Sequence, residues 1–426
     1  MVIVDTALEE REKQQNPIQV GLVGAGYMGR GITLQLLKPL VGMRLAAIAN
    51  RTISKAERAY REAGSVSVKT VESITQMETA IQCGQHAVTD DFSIICQAQG
   101  IDAIIEATGE VEFGAHVALQ AIENGKHLIL LNAELDATIG PILKLYADRA
   151  GVIITNADGD EPGVAMNLIR FLNTIGFKPV IAGNIKGMID PYRTPHTQRE
   201  FANKYNQEPK LITSFADGTK LSMETTVLAN AAGFKVGQRG MYGFSCNHVK
   251  DILDVFPLET TIEQGLVDYV LGAAPNTGAF VVGYNDSPLQ QQYLDYFKMG
   301  SGPFYVFYTP YHLPHIQIAT SVARAVLFHD ATVTPKNKPM CEVITIAKRD
   351  LKQGEVLDGI GGFTCYGVID NADVCRIENL LPMGVSQDCV SKKKIAKDQT
   401  IKYDDVELPK ERLCDKLRKE QCSFFN

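Results

Sequence analysis

No apolar stretch in this 426-residue chain approaches the ~20 residues needed to cross a bilayer, so no membrane span is expected. Runs of basic residues are also missing, and the formal net charge is −7. A nucleic-acid partner is not expected either, because phosphate binding needs a concentrated positive face. The segment Met1–Gln15 lacks the basic start and apolar core of a secretory signal. It is instead acidic and helical in character (Leu8, Glu9, Glu10, Arg11, Glu12, Lys13). A cytoplasmic location is the expectation. Nine cysteines are present, but none forms a CxxC pair. An odd count in a chain long enough to bury its own core implies reduced thiols, and zinc would require clustered ligands.

The length implies two or three domains, and a composition of 45% hydrophobic and 21% charged residues is that of an ordinary globular protein. Short apolar runs at Ile18–Val23, Arg44–Ala49, Ala103–Glu106, His127–Leu131 and Val152–Thr155 alternate with helical segments at Ser54–Ala63, Glu112–Glu123 and Pro141–Arg149. That alternation predicts a parallel sheet covered on both faces. Ser54 and Glu57 have the spacing of a capping box. After Asn156, helical stretches (Val164–Leu172, Lys220–Ala232, Ile318–Phe328) mix with strands (Val180–Ile185, Phe304–Tyr308). From about Met340 two segments share one rhythm, 347–358 and 394–406, each with an apolar residue, a turn and a new strand start. The expected fold class is therefore α/β. A doubly wound parallel sheet of Rossmann type spans 16–156, an α+β catalytic and oligomerisation domain 157–339, and a small β-rich domain 340–408. An N-terminal extension (1–15) and a tail (409–426) flank them.

Gly24-Ala25-Gly26-Tyr27-Met28-Gly29 follows the first strand directly and opens a helix expected over Arg30–Lys38. This is the context a dinucleotide fingerprint requires. Gly24 permits the turn, Gly26 lets the backbone approach a pyrophosphate, and Gly29 lets helix and strand pack closely. The helix N-terminus then offers free N–H groups to the phosphates. At the end of the second strand stands Ala49-Asn50-Arg51-Thr52, with no carboxylate to accept from ribose hydroxyls. Arg51 is a bidentate partner for a 2′-phosphate, which favours NADP(H) over NAD(H). Thr108 and Gly109, with Asn132, lie at later strand ends where the nicotinamide half is expected.

Four later segments combine polar residues with glycine or proline. Asp158, Asp160 and Glu161 place three carboxylates within four residues; they are candidate ligands for a divalent cation such as magnesium or manganese, or else a solvated acidic turn. Lys186, in Gly183-Asn184-Ile185-Lys186-Gly187, ends an apolar strand and is a candidate to polarise a carbonyl or move a proton. Lys220 and Glu224 are four apart on an expected helix, as a site-facing pair or a surface ion pair. His312, in Pro310-Tyr311-His312-Leu313-Pro314-His315, is a candidate acid/base.

These segments carry a resemblance. Residues 18–235 resemble the homoserine dehydrogenase superfamily, and Cys341–Val406 resembles a SAF (antifreeze-like) domain. The combination resembles the SAF-containing, homoserine dehydrogenase-like oxidoreductases, a group that includes deoxyxylulose-phosphate reductoisomerase-like enzymes. The carrying segments are GAGYMG (24–29), DGDEPG (158–163), GNIKG (183–187), FADGTK (215–220), PYHLPH (310–315) and AKRDLKQGEVLDGIGG (347–362). Asp160, Glu161, Lys186, Lys220, Glu224 and His312, read from these segments, are the candidate catalytic residues; the resemblance implies a CH–OH oxidoreductase or reductoisomerase. It also implies a sugar phosphate or sugar acid as substrate, and a homo-oligomer. Two departures stand out. Homoserine dehydrogenases carry a catalytic Lys in an Ala-Asn-Lys stretch where this chain has Asn132-Ala133-Glu134, and their later Asp-then-Lys helix here reads Lys220 then Glu224. Homoserine is therefore not the expected substrate. A homoserine-type enzyme with an altered site and a non-catalytic NADP(H)-binding regulator remain the alternatives.

Overall fold

The alternating first third of the chain folds into a seven-stranded, wholly parallel sheet in the computed structural model, which describes residues 4–38, 40–65 and 67–425. Met1–Ile3 of the N-terminal extension and Asn426 of the tail lie outside the described residues. The strands are β1 (Ile18–Val23), β2 (Met43–Ala49), β3 (Val68–Thr70), β4 (His86–Thr89), β5 (Ala103–Glu106), β6 (His127–Leu130) and β7 (Ile154–Asn156). Their order across the sheet is β3-β4-β2-β1-β5-β6-β7. The chain works outward from β1 to one edge, then returns beside it at β5. The crevice between β1 and β5 is thus the topological switch point, where ligands of open α/β sheets bind. All four residues of β5 are buried, as an apolar strand covered on both faces requires. The expected strands are all present. β3 and β4 are additional; at three and four residues, with β3 a half-exposed edge, they leave little hydrophobic pattern.

Three local expectations need correction. The helix after the glycine loop begins at Tyr27, not Arg30, and runs to Leu36. The helix Ile53–Glu62 has Thr52 at its N-cap with no side-chain cap bond, so Ser54 lies inside the helix and forms no capping box. Pro141 does not start a helix but sits within Ala133–Ala150. The surrounding core (Leu135, Ile139, Ile142, Leu143) outweighs the one backbone bond that proline removes.

A second, mixed sheet has the order β12-β11-β8-β10-β9. Its strands are β8 (Lys178–Lys186), β9 (Phe244–Ser245), β10 (Leu266–Leu271), β11 (Ala279–Tyr284) and β12 (Phe304–Thr309). Ile181 and Ile185 of β8 pack against Val249, Ile252 and Phe256 on one face. Ala182 packs on the other face with the helices Glu161–Thr174 and Thr219–Ala232. Strand periodicity therefore turns Asn184 and Lys186 toward those two helices. The helix Ile318–Phe328 returns to the first sheet, packing Ile318, Val322 and Ala325 among Leu22, Ile105 and Ile129.

Two small antiparallel sheets follow: β13 (Cys341–Ala347) with β14 (Cys365–Asn371), and β15 (Val390–Ser391) with β16 (Val406–Glu407). The two segments of shared rhythm lie side by side, bridged by Leu351 and Ile395. Leu357, Ile395 and Ile401 join one continuous core with Ala118, Ile139 and Ile142 of the first third, together with Leu417 of the terminal helix Leu413–Phe424. Six of the nine cysteines are buried and none is disulfide-bonded. Among the described residues no helix is long and apolar enough to cross a membrane.

Candidate active site

The glycine loop has the geometry of a phosphate cradle. Gly24 adopts φ +107°, and a Cβ there would sit 2.8 Å from the carbonyl oxygen of Ala107. A Cβ on Gly29 would lie 2.1 Å from the Gly24 carbonyl oxygen, so both positions require glycine. At Gly26 the same construction meets open space, leaving the backbone free to touch a ligand. No side chain caps the helix Tyr27–Leu36, whose first N–H groups thus remain available. Beside the loop opens a cavity of about 640 Å3, lined by Gly24–Gly26, Asn50, Arg51, Lys55 and Thr108 among others. These features fit a dinucleotide with its pyrophosphate at the helix N-terminus. Lys55, one helical turn beyond Arg51, adds a second cation that local motif reading does not flag.

Several expected cofactor contacts prove to be supports of the cradle. Asn50 lines the cavity, but its Oδ1 accepts from Ala25 N–H at 3.0 Å and its Nδ2 donates to the Thr52 carbonyl at 2.9 Å. It fastens the loop to the end of β2. Asn132 is wholly buried as the N-cap of the helix Ala133–Ala150, accepting from Leu135 N–H at 3.0 Å and donating to the Glu110 carbonyl at 3.1 Å. It does not line the cavity, which corrects the expected ribose or carboxamide contact. Tyr27 and Met28 form the first helical turn, Gly29 packs inward, and Gly109 turns the chain at φ +73°. Thr108 does face the cavity; its N–H and hydroxyl both donate to buried Glu106.

The six residues expected to be catalytic converge, although they come from four separate segments. Lys186 Nζ lies 2.8 and 2.6 Å from the two carboxylate oxygens of Glu161 and 3.7 Å from Glu224. Lys220 pairs with Glu134 at 3.1 Å and approaches Glu224 at 4.0 Å. Asn184 Nδ2 donates to Glu161 at 3.0 Å and to Glu224 at 3.4 Å. His312 Nδ1 lies 3.8 Å from Glu161 and 3.2 Å from the Thr277 hydroxyl. Glu134, Asn184 and Thr277 are the additions made by the structure. Lys186 and His312, at 21% and 31% side-chain exposure, form the open side of an otherwise buried cluster.

Charge in this cluster is unevenly distributed. Burial pushes Glu224 well above the usual carboxylate range, and the neighbouring Glu161 carboxylate pushes it further. For Glu161 burial acts in the same direction, but Lys186 and a hydrogen bond from Glu224 outweigh it and hold Glu161 at about 2. One proton therefore stays on Glu224 and bridges to Glu161. Asp160 is also raised by burial, against the pull of Lys220. Both lysines are desolvated, yet the surrounding carboxylates keep each more firmly protonated than usual.

Asp158 belongs elsewhere. Its carboxylate is held by Arg324 at 3.0 and 3.3 Å, by Asn167 at 2.5 Å and by the Thr332 hydroxyl at 2.8 Å. Glu161 is already spanned by Lys186. The expected cation triad of Asp158, Asp160 and Glu161 therefore does not fit a metal. Among the described residues no group of three or more His, Cys, Asp or Glu is placed to hold one. The local signal misleads because the compensating charge is Arg324, far along the chain.

The loop 310–315 ties the cluster to the cradle. Leu313 N–H donates to the Gly159 carbonyl at 2.8 Å, and the ring of His315 packs so closely on Gly31 of the cradle helix that a Cβ there would meet it at 2.8 Å. Burial lowers the His315 pKa, favouring a neutral ring.

A Rossmann-type α/β fold thus carries a buried lysine–carboxylate cluster beside its nucleotide crevice. Residues 159–318, which contain all six converging residues, match the family described as Oxidoreductase DRL, catalytic domain. Homoserine dehydrogenase of Methylobacillus glycogenes is 32% identical over 123 residues, covering 28% of this chain and 26% of the relative. That of Pseudomonas aeruginosa is 30% identical over 138 residues, covering 32% and 28%. The chain thus spans about a quarter of the length of these curated relatives. Among solved structures, scyllo-inositol dehydrogenase from Lactobacillus casei with bound NAD(H) and scyllo-inositol aligns with a TM-score of 0.37 at 15% identity, covering 63% of this chain and 74% of that one. The myo-inositol dehydrogenase from Lactobacillus casei in complex with NAD(H) and myo-inositol aligns with a TM-score of 0.37 at 14% identity, covering 73% and 93%.

Proposed function

We propose that the chain is an NADP(H)-dependent oxidoreductase that interconverts a hydroxyl and a carbonyl on a small polyhydroxylated substrate. The observation that carries this reading is the convergence of Lys186, Glu161, Glu224 and His312 at a cluster tied, through the loop 310–315, to an open glycine cradle. The match of residues 159–318 to an oxidoreductase catalytic domain supports it. Arg51 and Lys55 at one side of the cavity support a 2′-phosphate on the nucleotide.

The nicotinamide, when bound, supplies or accepts the hydride. Lys186 donates a hydrogen bond to the substrate's carbonyl oxygen and stabilises the charge that develops there during reduction. As that oxygen becomes an alkoxide, Lys186 gives it a proton, and Glu224 at 3.7 Å returns one to the lysine. Glu161 and Asn184 hold Lys186 and Glu224 in register, while Lys220, paired with Glu134, offsets the remaining negative charge. Isomerisation of a sugar phosphate such as deoxyxylulose phosphate before reduction would draw on the same lysines. No step is routed through a metal, because Asp158 and Glu161 are already paired with Arg324 and Lys186.

The test is NADPH oxidation by the full chain with sugar phosphates, sugar acids and aspartate semialdehyde, with and without magnesium or manganese. Lys186→Met is expected to lower turnover by about 10²–10⁴-fold, the usual worth of a positioned proton donor, with NADPH affinity changed less than about threefold. Activity surviving within about tenfold would remove Lys186 from this role, and turnover of aspartate semialdehyde alone would overturn the substrate class.

A further inference from the structure

We infer that the C-terminal segment is part of the nucleotide site, and that Gln387 reads the adenine end of the dinucleotide. The inference rests on the reading of the 640 Å3 cavity as the cofactor site. Gln387 lines that cavity with the glycine loop and Arg51, although it belongs to the last fifth of the chain.

The loop that carries it is fixed in place by a chain of charged contacts. Arg412 donates to the carbonyl oxygens of Gln387 and Val385, both at 2.8 Å, and is itself held by Asp415 at 2.7 and 3.1 Å. The helix Leu413–Phe424 begins at the next residue. Its first two N–H groups, of Leu413 and Cys414, donate to the Glu112 carboxylate at 2.8 and 2.9 Å. Glu112 lines the same cavity from the helix Val111–Glu123. The Gln387 loop and the cavity wall are thus two ends of one hydrogen-bonded strap, in which Arg412 grips backbone and leaves the Gln387 side chain uncommitted.

Sheet order says which end of the nucleotide this is. The pyrophosphate belongs at the loop after β1, and Arg51 follows β2 while Asp90 and Phe92 follow β4, on the side of the sheet away from β5 and β6. The adenosine half lies on that side, and the nicotinamide half on the other. The helix Val111–Glu123, which anchors the Gln387 strap through Glu112, follows β5, but its Phe113 meets Phe92 after β4 edge to face at 5.2 Å, so this wall of the cavity closes on the adenosine side. An adenine edge presents an amino donor next to a ring-nitrogen acceptor, and a carboxamide has the matching acceptor and donor.

Adenosine 2′,5′-bisphosphate, which carries adenine and both phosphates but no nicotinamide, separates the two halves. With the full chain, Gln387→Ala is expected to weaken its binding about three- to tenfold, the worth of one or two hydrogen bonds, by calorimetric titration. Nicotinamide mononucleotide binding and the urea unfolding midpoint should not change, since Gln387 is exposed and its backbone contacts remain. In the wild type, the bisphosphate should slow amide exchange at 385–387 and 413–414. Equal bisphosphate affinity of variant and wild type overturns the inference. If that happens while Arg51→Asp does weaken the bisphosphate, the cofactor reading stands and only this inference fails. If neither NADPH nor the bisphosphate binds the wild type, the cofactor reading itself fails.

Discussion

Glu224→Gln keeps the shape of the side chain but fixes it in the uncharged state that burial and Glu161 impose on the native carboxyl. The folded-state pKa of Glu224 is raised well above its ordinary 4.5, so the folded chain keeps a proton that the unfolded chain releases as pH rises through that value. The contribution of this group to stability is therefore full below about pH 4.5 and is lost progressively as pH climbs toward the folded-state pKa. One proton corresponds to a slope of about 1.4 kcal/mol per pH unit wherever the folded chain holds it and the unfolded chain does not. Glutamine has no proton to lose. As pH rises above 4.5 the wild type should therefore lose stability more steeply than the variant, by up to about 1.4 kcal/mol per pH unit, measured by urea unfolding across a pH series. Glu161 does not blur the comparison. Its pKa is depressed to about 2, so its contribution is present above its ordinary 4.5 and disappears only as pH falls toward 2. Turnover in the variant should fall about 10–100-fold at unchanged NADPH affinity, because the proton that replenishes Lys186 is gone. Parallel pH dependence of wild type and variant above pH 4.5 would show that Glu224 ionises in the folded protein as it does in the unfolded chain, and the proposed relay would be refuted.

Arg51→Asp should move cofactor preference from NADPH toward NADH by about tenfold or more in kcat/KM, since it removes a bidentate cation and adds an anion beside the cradle. An unchanged ratio of the two activities would mean that a 2′-phosphate is read elsewhere. Arg324→Met should destabilise the chain by about 3–5 kcal/mol in urea unfolding, because it leaves the Asp158 carboxylate buried without its 3.0 Å partner. A loss of under about 1 kcal/mol would contradict the assignment of Asp158 to a structural ion pair.

Much of the candidate site is legible in short stretches of chain. The strand, glycine loop and helix at 18–36 follow from residues in immediate sequence contact: an apolar run, a turn only glycine can make, and a close approach only glycine permits. Lys186 stands out as a cation ending an apolar strand, and Lys220 and Glu224 as a charged pair on a helix buried from Thr219 to Ala231. What such patterns do not contain is the identity of each partner. Glu134 reads locally only as the absence of a lysine, yet it holds Lys220 across 86 positions of chain. Asn132 looks available to a ligand until the helix it caps is in place.

The sequence by itself therefore determined the parallel sheet, the glycine turn at Gly24–Gly29 and six of the residues that meet in the cluster, because each depends on steric and periodic rules acting over a few residues. The tertiary structure alone decided how the buried charges are shared. Asp158, Asp160 and Glu161 are equivalent as a string, but chain closure gives Asp158 to Arg324, Glu161 to Lys186, and leaves Asp160 raised by burial. The same closure brought Gln387 to the cavity wall. A desolvated charge is defined by whatever the fold places within a few ångströms of it, and that distance is not a property of the sequence neighbourhood.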